Sequence, residues 1–367
     1  MTTFATRPDR LEVVHSADPR PPDTPRTIGT RTFDDRASWL AAMAGALALV
    51  WFAFQISGWS GKLAFVMLWY AAYLCLYAGL TTMSHPRPVV VERLAGAVVT
   101  GGAAVVGLAL ASTLFYTFQR GWPAYSHLNF YLHDAAGVRP TAGLARGGIL
   151  HAITGSAIEV GLALVIALPL GLGTAVYMTE VGGRAAKTVR TVVEAMTALP
   201  DVLAGLFTYA TLILILHLDR TGAVAAVALS VTMIPIVARS AEVALRVVPG
   251  GLREAALALG ASQWQTVRRV VLPTARAGLA TSVILGVARV AGETAPLLIV
   301  SGASTYQNTN PFSEPMNSLP LYIFAAVRSG QPNSIARGFG AAAVLLALVM
   351  ILFVAARYLA RPTVRRR

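Results

Sequence analysis

The chain alternates long apolar stretches with short polar ones. Eight stretches approach or exceed the length a helix needs to cross hydrocarbon: 39–57, 63–82, 94–118, 153–179, 195–216, 222–238, 277–300 and 338–358. Helices are the expected solution, because a backbone in lipid must satisfy its own polar groups. The sixth stretch is the shortest. The fourth is long and holds Pro169, which predicts a tilt or a kink. The seventh places Arg289 and Glu293 in the middle of an apolar run, with Pro296 just beyond.

Composition supports the same class. The 367 residues are 55% hydrophobic and 13% charged, against roughly a quarter charged in a soluble domain. The reading is an all-α membrane protein, a polytopic helical bundle. The net charge of +13 is nearly all arginine, since Lys62 and Lys187 are the only lysines. With both termini in the cytoplasm, only Lys62, Arg120, Arg139, Arg146, Arg220, Arg328 and Arg337 fall outside. That distribution obeys the positive-inside rule. Topology therefore accounts for the basicity, and no nucleic-acid partner is expected. Cys75 is the single cysteine, which excludes a disulfide within the chain and a zinc site built on several cysteines. Residues 1–37 lack apolar periodicity and read as a disordered cytoplasmic tail, not a cleaved signal peptide. The outer loops 119–152 and 301–337 are long enough to suggest a task. Within the second, Leu319–Arg328 reads as an amphipathic helix at the interface.

The segment Val248–Pro273, VPGGLREAALALGASQWQTVRRVVLP, carries a finer pattern. Pro249-Gly250-Gly251 is a break, and LREAALALG is rich in strong helix formers. Gly260 stands where a left-handed C-terminal cap belongs. Ser262 and Gln265 then fit a capping box, opening a second helix that is expected to stop before Pro273. Two readings are open. One is a helix pair resting on the lipid surface with snorkelling arginines. The other is a knob for a cytoplasmic partner, with Ala255, Ala256 and Gly260 small enough to admit it closely.

Glu254-Ala255-Ala256, then Gly260, then Leu272-Pro273 resemble the EAA loop of ABC importer permeases. The run Ala288–Leu298, ARVAGETAPLL, resembles a signature of the PstA-type permeases of phosphate-specific importers. GGILHAITGS at 147–156, LPDVLAGLFTYA at 199–210, IPIVARSAEVAL at 234–245 and NPFSEPMNSLPLYIF at 310–324 are similar to the same family. The likeness implies a six-span ABC importer permease core over 94–360, with a cytoplasmic coupling loop at 239–276 formed around Glu254, Ala255, Ala256, Gly260, Leu272 and Pro273. Two extra N-terminal transmembrane helices (38–93) would precede the core, and a basic cytoplasmic tail (361–367) would follow it. It further implies a non-catalytic subunit of a bacterial inner membrane. Its partners would be a related permease (PstC-like), a pair of ATP-binding subunits (PstB-like) and an extracytoplasmic phosphate-binding protein (PstS-like) meeting the long outer loops. No cofactor or metal is expected in the chain itself. The P-loop pattern is absent, so ATP would be bound by the partner.

Within the seventh stretch, Arg289 and Glu293 are four apart, share a helix face and can pair. A lone arginine at mid-membrane costs about 2.5–3.5 kcal/mol on insertion scales, and an acid beside it offsets part of that. The pair is either a packing device or part of a substrate path. Arg239 favours the path, because two forked guanidinium groups facing one cavity suit an oxyanion. Glu293 would compete for the arginine and keep the anion from being trapped. The resemblance assigns the same three residues, Arg239, Arg289 and Glu293, to the translocation route. Pro296 is placed to bend the helix, or is a tolerated packing kink. Asp201 departs from the serine common in the family; it is read as a cap for the helix after Pro200, the other reading being that it faces the path, where it would repel phosphate. Glu159 either pairs with an arginine or stays protonated in apolar surroundings. His151 and His217 are read as interfacial, outside any metal site. Another oxyanion such as sulfate or molybdate, the partner phosphate permease, and a stand-alone secondary transporter or channel are the competing functions. Proteins of the last class often show paired inverted repeats, which are not visible in this sequence, and have no use for a docking loop.

Overall fold

The computed structural model describes residues 33–359. Most of the predicted tail and the basic segment 361–367 lie outside them. The helices are α1 (Phe33–Ser57), α2 (Lys62–Ser84), α3 (Arg87–Tyr125), α4 (Asn129–Leu132), α5 (Leu150–Val176), α6 (Gly183–Ala198), α7 (Asp201–Thr208), α8 (Gly222–Arg246), α9 (Gly250–Ala258), α10 (Gln263–Thr266), α11 (Leu272–Val290), α12 (Ala295–Val300), α13 (Leu319–Arg328) and α14 (Pro332–Leu359). Wider π-helical turns extend α5 over Tyr177–Val181, extend α7 over Tyr209–Ile215, and join α10 to α11 over Val267–Val271. Among the described residues seven helices are long and apolar enough to cross a membrane, or eight if one bent pair counts as a span.

The described residues divide into two compact units, one up to Ala109 and one from Leu110 onward. In the first, α1 and α2 pack through Ala42 and Ala46 against Tyr73 and Tyr77. The two tyrosine rings stack, and the Trp69 indole donates to the Met43 carbonyl at 3.3 Å. Trp51, Phe52, Leu63 and Met67 are left exposed. An apolar exterior of that kind suits lipid.

In the second unit α8 is the most enclosed span. Its alanines Ala225, Ala226 and Ala228, with Leu229, Met233 and Val237, are packed with Ala163 and Ala167 of α5. Small residues let helix backbones approach closely where lipid offers no hydrophobic drive to association. A Cβ on Gly171 would come within 2.9 Å of the Val237 side chain. The close crossing of α5 and α8 therefore depends on glycine at that position.

Three predicted spans take a different form. The sixth was expected to end at Ala238, ahead of a charge; α8 instead runs on to Arg246, because Arg239 and Arg246 are neutralised by Glu242 one turn away. The fifth, expected as one helix over 195–216, is the second arm of a pair, Gly183–Ala198 and Asp201–Ile215, bent by 101°. Pro200 sits at the corner, and a proline pushes the residue before it out of the helical region; Leu199 is accordingly extended. The seventh is interrupted between Val290 and Ala295. Pro296 lies in the first turn of α12, where its missing N–H costs nothing. The helix expected to stop before Pro273 runs through it, since the π-turn immediately upstream resets the hydrogen-bond register and leaves the proline in the first turn of α11. Leu319–Arg328 is a helix, as predicted, but Leu319, Pro320 and Leu321 are buried rather than resting at an interface.

The break between α11 and α12 is held by a close crossing. A Cβ on Gly205 of α7 would lie 2.7 Å from the Pro296 Cα. Gly205→Ala is expected to cost about 1–3 kcal/mol by overpacking. It should lower the thermal unfolding temperature of the detergent-purified chain, whereas substitution at Gly292, which has open space around it, should not.

Candidate functional site

Arg289 occupies the last turn of α11, and Glu293 follows the helix end. The two do not share a continuous helix face, yet they pair: Arg289 Nη1 donates to Glu293 Oε1. The turn supplies the geometry, with the Glu293 amide donating to the Val290 carbonyl at 3.0 Å. Arg289 Nη2 donates to Asp201 Oδ2 at 2.7 Å. Asp201 is therefore not the cap it was read to be. Pro200 holds the capping position without a side-chain bond, Asp201 lies within the first turn of α7, and its carboxylate is free to reach across to α11. Glu293 is buried, Asp201 is a third exposed and Arg289 about half exposed. The guanidinium thus has a buried acid behind it and an accessible acid beside it.

Arg289 and Asp201 open onto a cavity of about 440 Å³, lined also by Thr197, Pro200, Phe207, Thr232 and Pro235. Arg239 is not among its lining residues. It binds Glu242 at 3.0 Å and Glu194 at 3.2 Å. Glu242 itself is buried and accepts from three arginines: Arg190 at 2.8 Å, Arg239 at 3.0 Å and Arg246 at 2.7 Å. This cluster ties α6 to α8. It was missed in the sequence because the partners are far apart along the chain, although Glu242 and Arg246 at four-residue spacing were a visible signal.

The loop between α8 and α11 has the predicted form. Gly260 is left-handed, at φ +84°. The Ser262–Gln265 capping box is complete. Glu254 and Ala255 are exposed and Ala256 half-buried, while Leu272 and Pro273 lie inside the continuing helix. Arg253, not singled out beforehand, fixes the loop to α5. Its Nε and Nη2 donate to the Glu180 carboxylate, at 2.8 Å for the shortest bond, and it also donates to the carbonyls of Val248 and Leu245. The Gln263 side chain adds a bond to the Glu180 carbonyl. A bidentate arginine–carboxylate pair carries direction as well as energy.

Glu159 is fully buried and bonded to the Ser301 hydroxyl at 2.8 Å, so its partner is a serine and not an arginine. The same hydroxyl donates to the Met316 carbonyl. His151, read as interfacial, is buried with its ring against Tyr322, one turn from Gly155, whose Cβ position is filled by the Asn317 carbonyl. His217 is exposed.

Removing the carboxylate of Glu242 leaves three arginines facing one another. Loss of one partner of a buried pair costs 3–5 kcal/mol. These arginines are partly solvated, so Glu242→Ala is expected to cost about 1–3 kcal/mol. It should destabilise more than Arg190→Ala in thermal unfolding, with the gap narrowing at high salt.

The description "Binding-protein-dependent transport system inner membrane component" fits residues 167–365. The chain is 37% identical over 255 residues to "Phosphate transport system permease protein PstA 1" of Mycobacterium tuberculosis, covering 69% of this chain and 83% of that protein. It is 34% identical over 254 residues to "Phosphate transport system permease protein PstA" of Haemophilus influenzae, covering 68% and 87%. Among solved structures, a bacterial alginate ABC transporter in complex with its alginate-bound periplasmic protein matches 72% of this chain and 94% of that one, with a TM-score of 0.52 at 17% identity. That likeness bears on the fold alone, and it agrees with the polytopic helical bundle that the apolar pattern predicted and with the permease fold that the resemblance implied. The chain is a multi-pass protein of the bacterial inner membrane and belongs to the family of binding-protein-dependent transport system inner membrane components, grouping within it with the PstA-type permeases.

Proposed function

We propose that the chain is a transmembrane permease subunit of an ATP-driven importer of inorganic phosphate. The observation that carries this is Arg289, a guanidinium held at a helix break and opening onto a cavity. The names of its curated relatives support the substrate. The charge distribution sets both termini and the α9 loop on the cytoplasmic side. A second, related permease completes the path, a pair of ATP-binding subunits receives the loop, and an extracytoplasmic binding protein delivers phosphate to the opposite face. The chain performs no chemistry and needs no cofactor of its own, since ATP is bound by the partner.

Transport then follows by alternating access. Closure of the ATPase pair moves α9, whose exposed Glu254 and Ala255 meet the partner. The Arg253–Glu180 pair transmits that displacement to α5, and α5 is packed along α8. Arg289 offers phosphate forked donors. Glu293 and Asp201 compete for those donors and keep the site shallow, as a conduit requires. Arg239 joins Glu194 and Glu242 at the inner end of the route, where an anion leaving the cavity meets exchangeable ion pairs.

In a strain stripped of other phosphate transporters and of this gene, wild-type complementation should restore uptake of labelled phosphate at micromolar concentration. Arg289→Ala should insert at normal level and transport less than about a tenth as fast, as for loss of a charged hydrogen bond. Unchanged phosphate uptake on deletion, with sulfate or molybdate uptake falling instead, would reassign the substrate. Separately, Arg253→Ala should assemble with its partners and still hydrolyse ATP, while uptake per ATP falls by about fivefold or more, the lower end of a typical coupling. Undiminished uptake per ATP would remove Arg253 from the transmission route.

A further inference from the structure

In the phosphate-path reading Asp201 only competes for Arg289, yet of the two acids it is the one exposed to the cavity. Glu293 is buried behind the guanidinium, whereas Asp201 shares the cavity wall with Arg289, 2.7 Å away. The two ion pairs occupy two of the five N–H donors of Arg289. Donors therefore remain for an oxyanion that does not expel either acid.

An ionised carboxylate accepts hydrogen bonds and donates none. An oxyanion seated on Arg289 beside Asp201 must therefore turn an O–H toward that carboxylate. An anion without a proton would set acceptor against acceptor beside the guanidinium, a mismatch that costs most once water is excluded from the site. From this juxtaposition we infer that Asp201 is a specificity-determining residue, which admits oxyanions that carry a proton and rejects those that do not. The inference rests on the phosphate-path reading and deepens it. Inorganic phosphate keeps at least one proton throughout the neutral range. Arsenate shares that chemistry, while sulfate and molybdate are fully ionised there. Rejection arises from an acceptor left facing an acceptor, the strong form of discrimination, rather than from size.

The extracytoplasmic binding protein selects substrate before the permease does, so the test must read the cavity directly. Cys75→Ser removes the native thiol, and Phe207→Cys places a reporter in the cavity wall. The assembled transporter in permeabilised membrane vesicles is treated with a small maleimide in the presence of phosphate, arsenate or sulfate. With Asp201 intact, phosphate and arsenate should slow alkylation, and sulfate should need about tenfold or more higher concentration for equal protection. Asp201→Asn can donate to a bare oxygen, and it should bring sulfate to within a few fold of phosphate. Asp201→Ser, which also offers a donor, should do the same and guards against a folding defect peculiar to one variant. Equal protection by sulfate and phosphate with Asp201 intact would overturn the inference, as would a ratio unmoved by both substitutions. So would absence of protection by any anion while the same complex still takes up labelled phosphate; in all three cases the phosphate-path reading survives. Phosphate uptake independent of this chain would sink that reading and the inference together.

Discussion

A charged side chain cannot sit in a membrane unless something on the protein answers it, and the region around Arg289 is organised by that constraint. The α11 helix stops one residue after Arg289, the chain turns through Ala291–Thr294, and α12 resumes behind a proline. The interruption carries Glu293 underneath the guanidinium. The corner at Pro200 brings Asp201 alongside it from another helix. Two backbone irregularities far apart in sequence thus converge on one cation. Irregular backbone at membrane depth is tolerated where it is buried in protein or lines a cavity, and here it does both. The crossing of Gly205 with Pro296 keeps the two irregularities in register.

Outward from that point the second unit is held by two kinds of contact. Small residues along α5 and α8 permit a close, apolar crossing. Toward the loop end, arginine–carboxylate pairs take over: Glu242 gathers Arg190, Arg239 and Arg246, and Glu180 holds Arg253. The apolar crossing gives a stiff pair of helices, and the ionic contacts attach a loop and an amphipathic helix to its end. Through Arg253, α9 is tied both to the end of α5 at Glu180 and to the end of α8 at Leu245 and Val248. The transport reading requires that arrangement of a permease that borrows its energy from another subunit.

Much of this was legible in the residues. The class of the fold and the approximate places of most spans followed from apolar run length. The loop architecture followed from Gly260 and the Ser262–Gln265 box, because caps are local signals. What failed to read through were features set by tertiary partners. Arg239 looked like the end of a span although Glu242, three residues on, was a local sign that its charge is answered; its second partner, Glu194, stands on another helix and could not be read. Pro200 and Pro273 are the same residue type in apolar runs, yet a helix ends ahead of one and runs through the other, and the runs themselves do not distinguish them. Asp201 was read as a cap on the strength of its position after a proline. Its partner stands 88 residues away in sequence. The Arg289–Glu293 pair was anticipated through helical spacing, and it exists through the failure of that helix to continue.

The most direct test of this arrangement is a double-mutant cycle on Asp201→Asn and Arg289→Gln, read by thermal unfolding of the purified transporter. Two residues in contact should show an interaction energy of about 0.5–3 kcal/mol, shrinking as salt is added. Strict additivity of the two substitutions would mean that the guanidinium is not held between the two helices, and the account of the site built around it would fall.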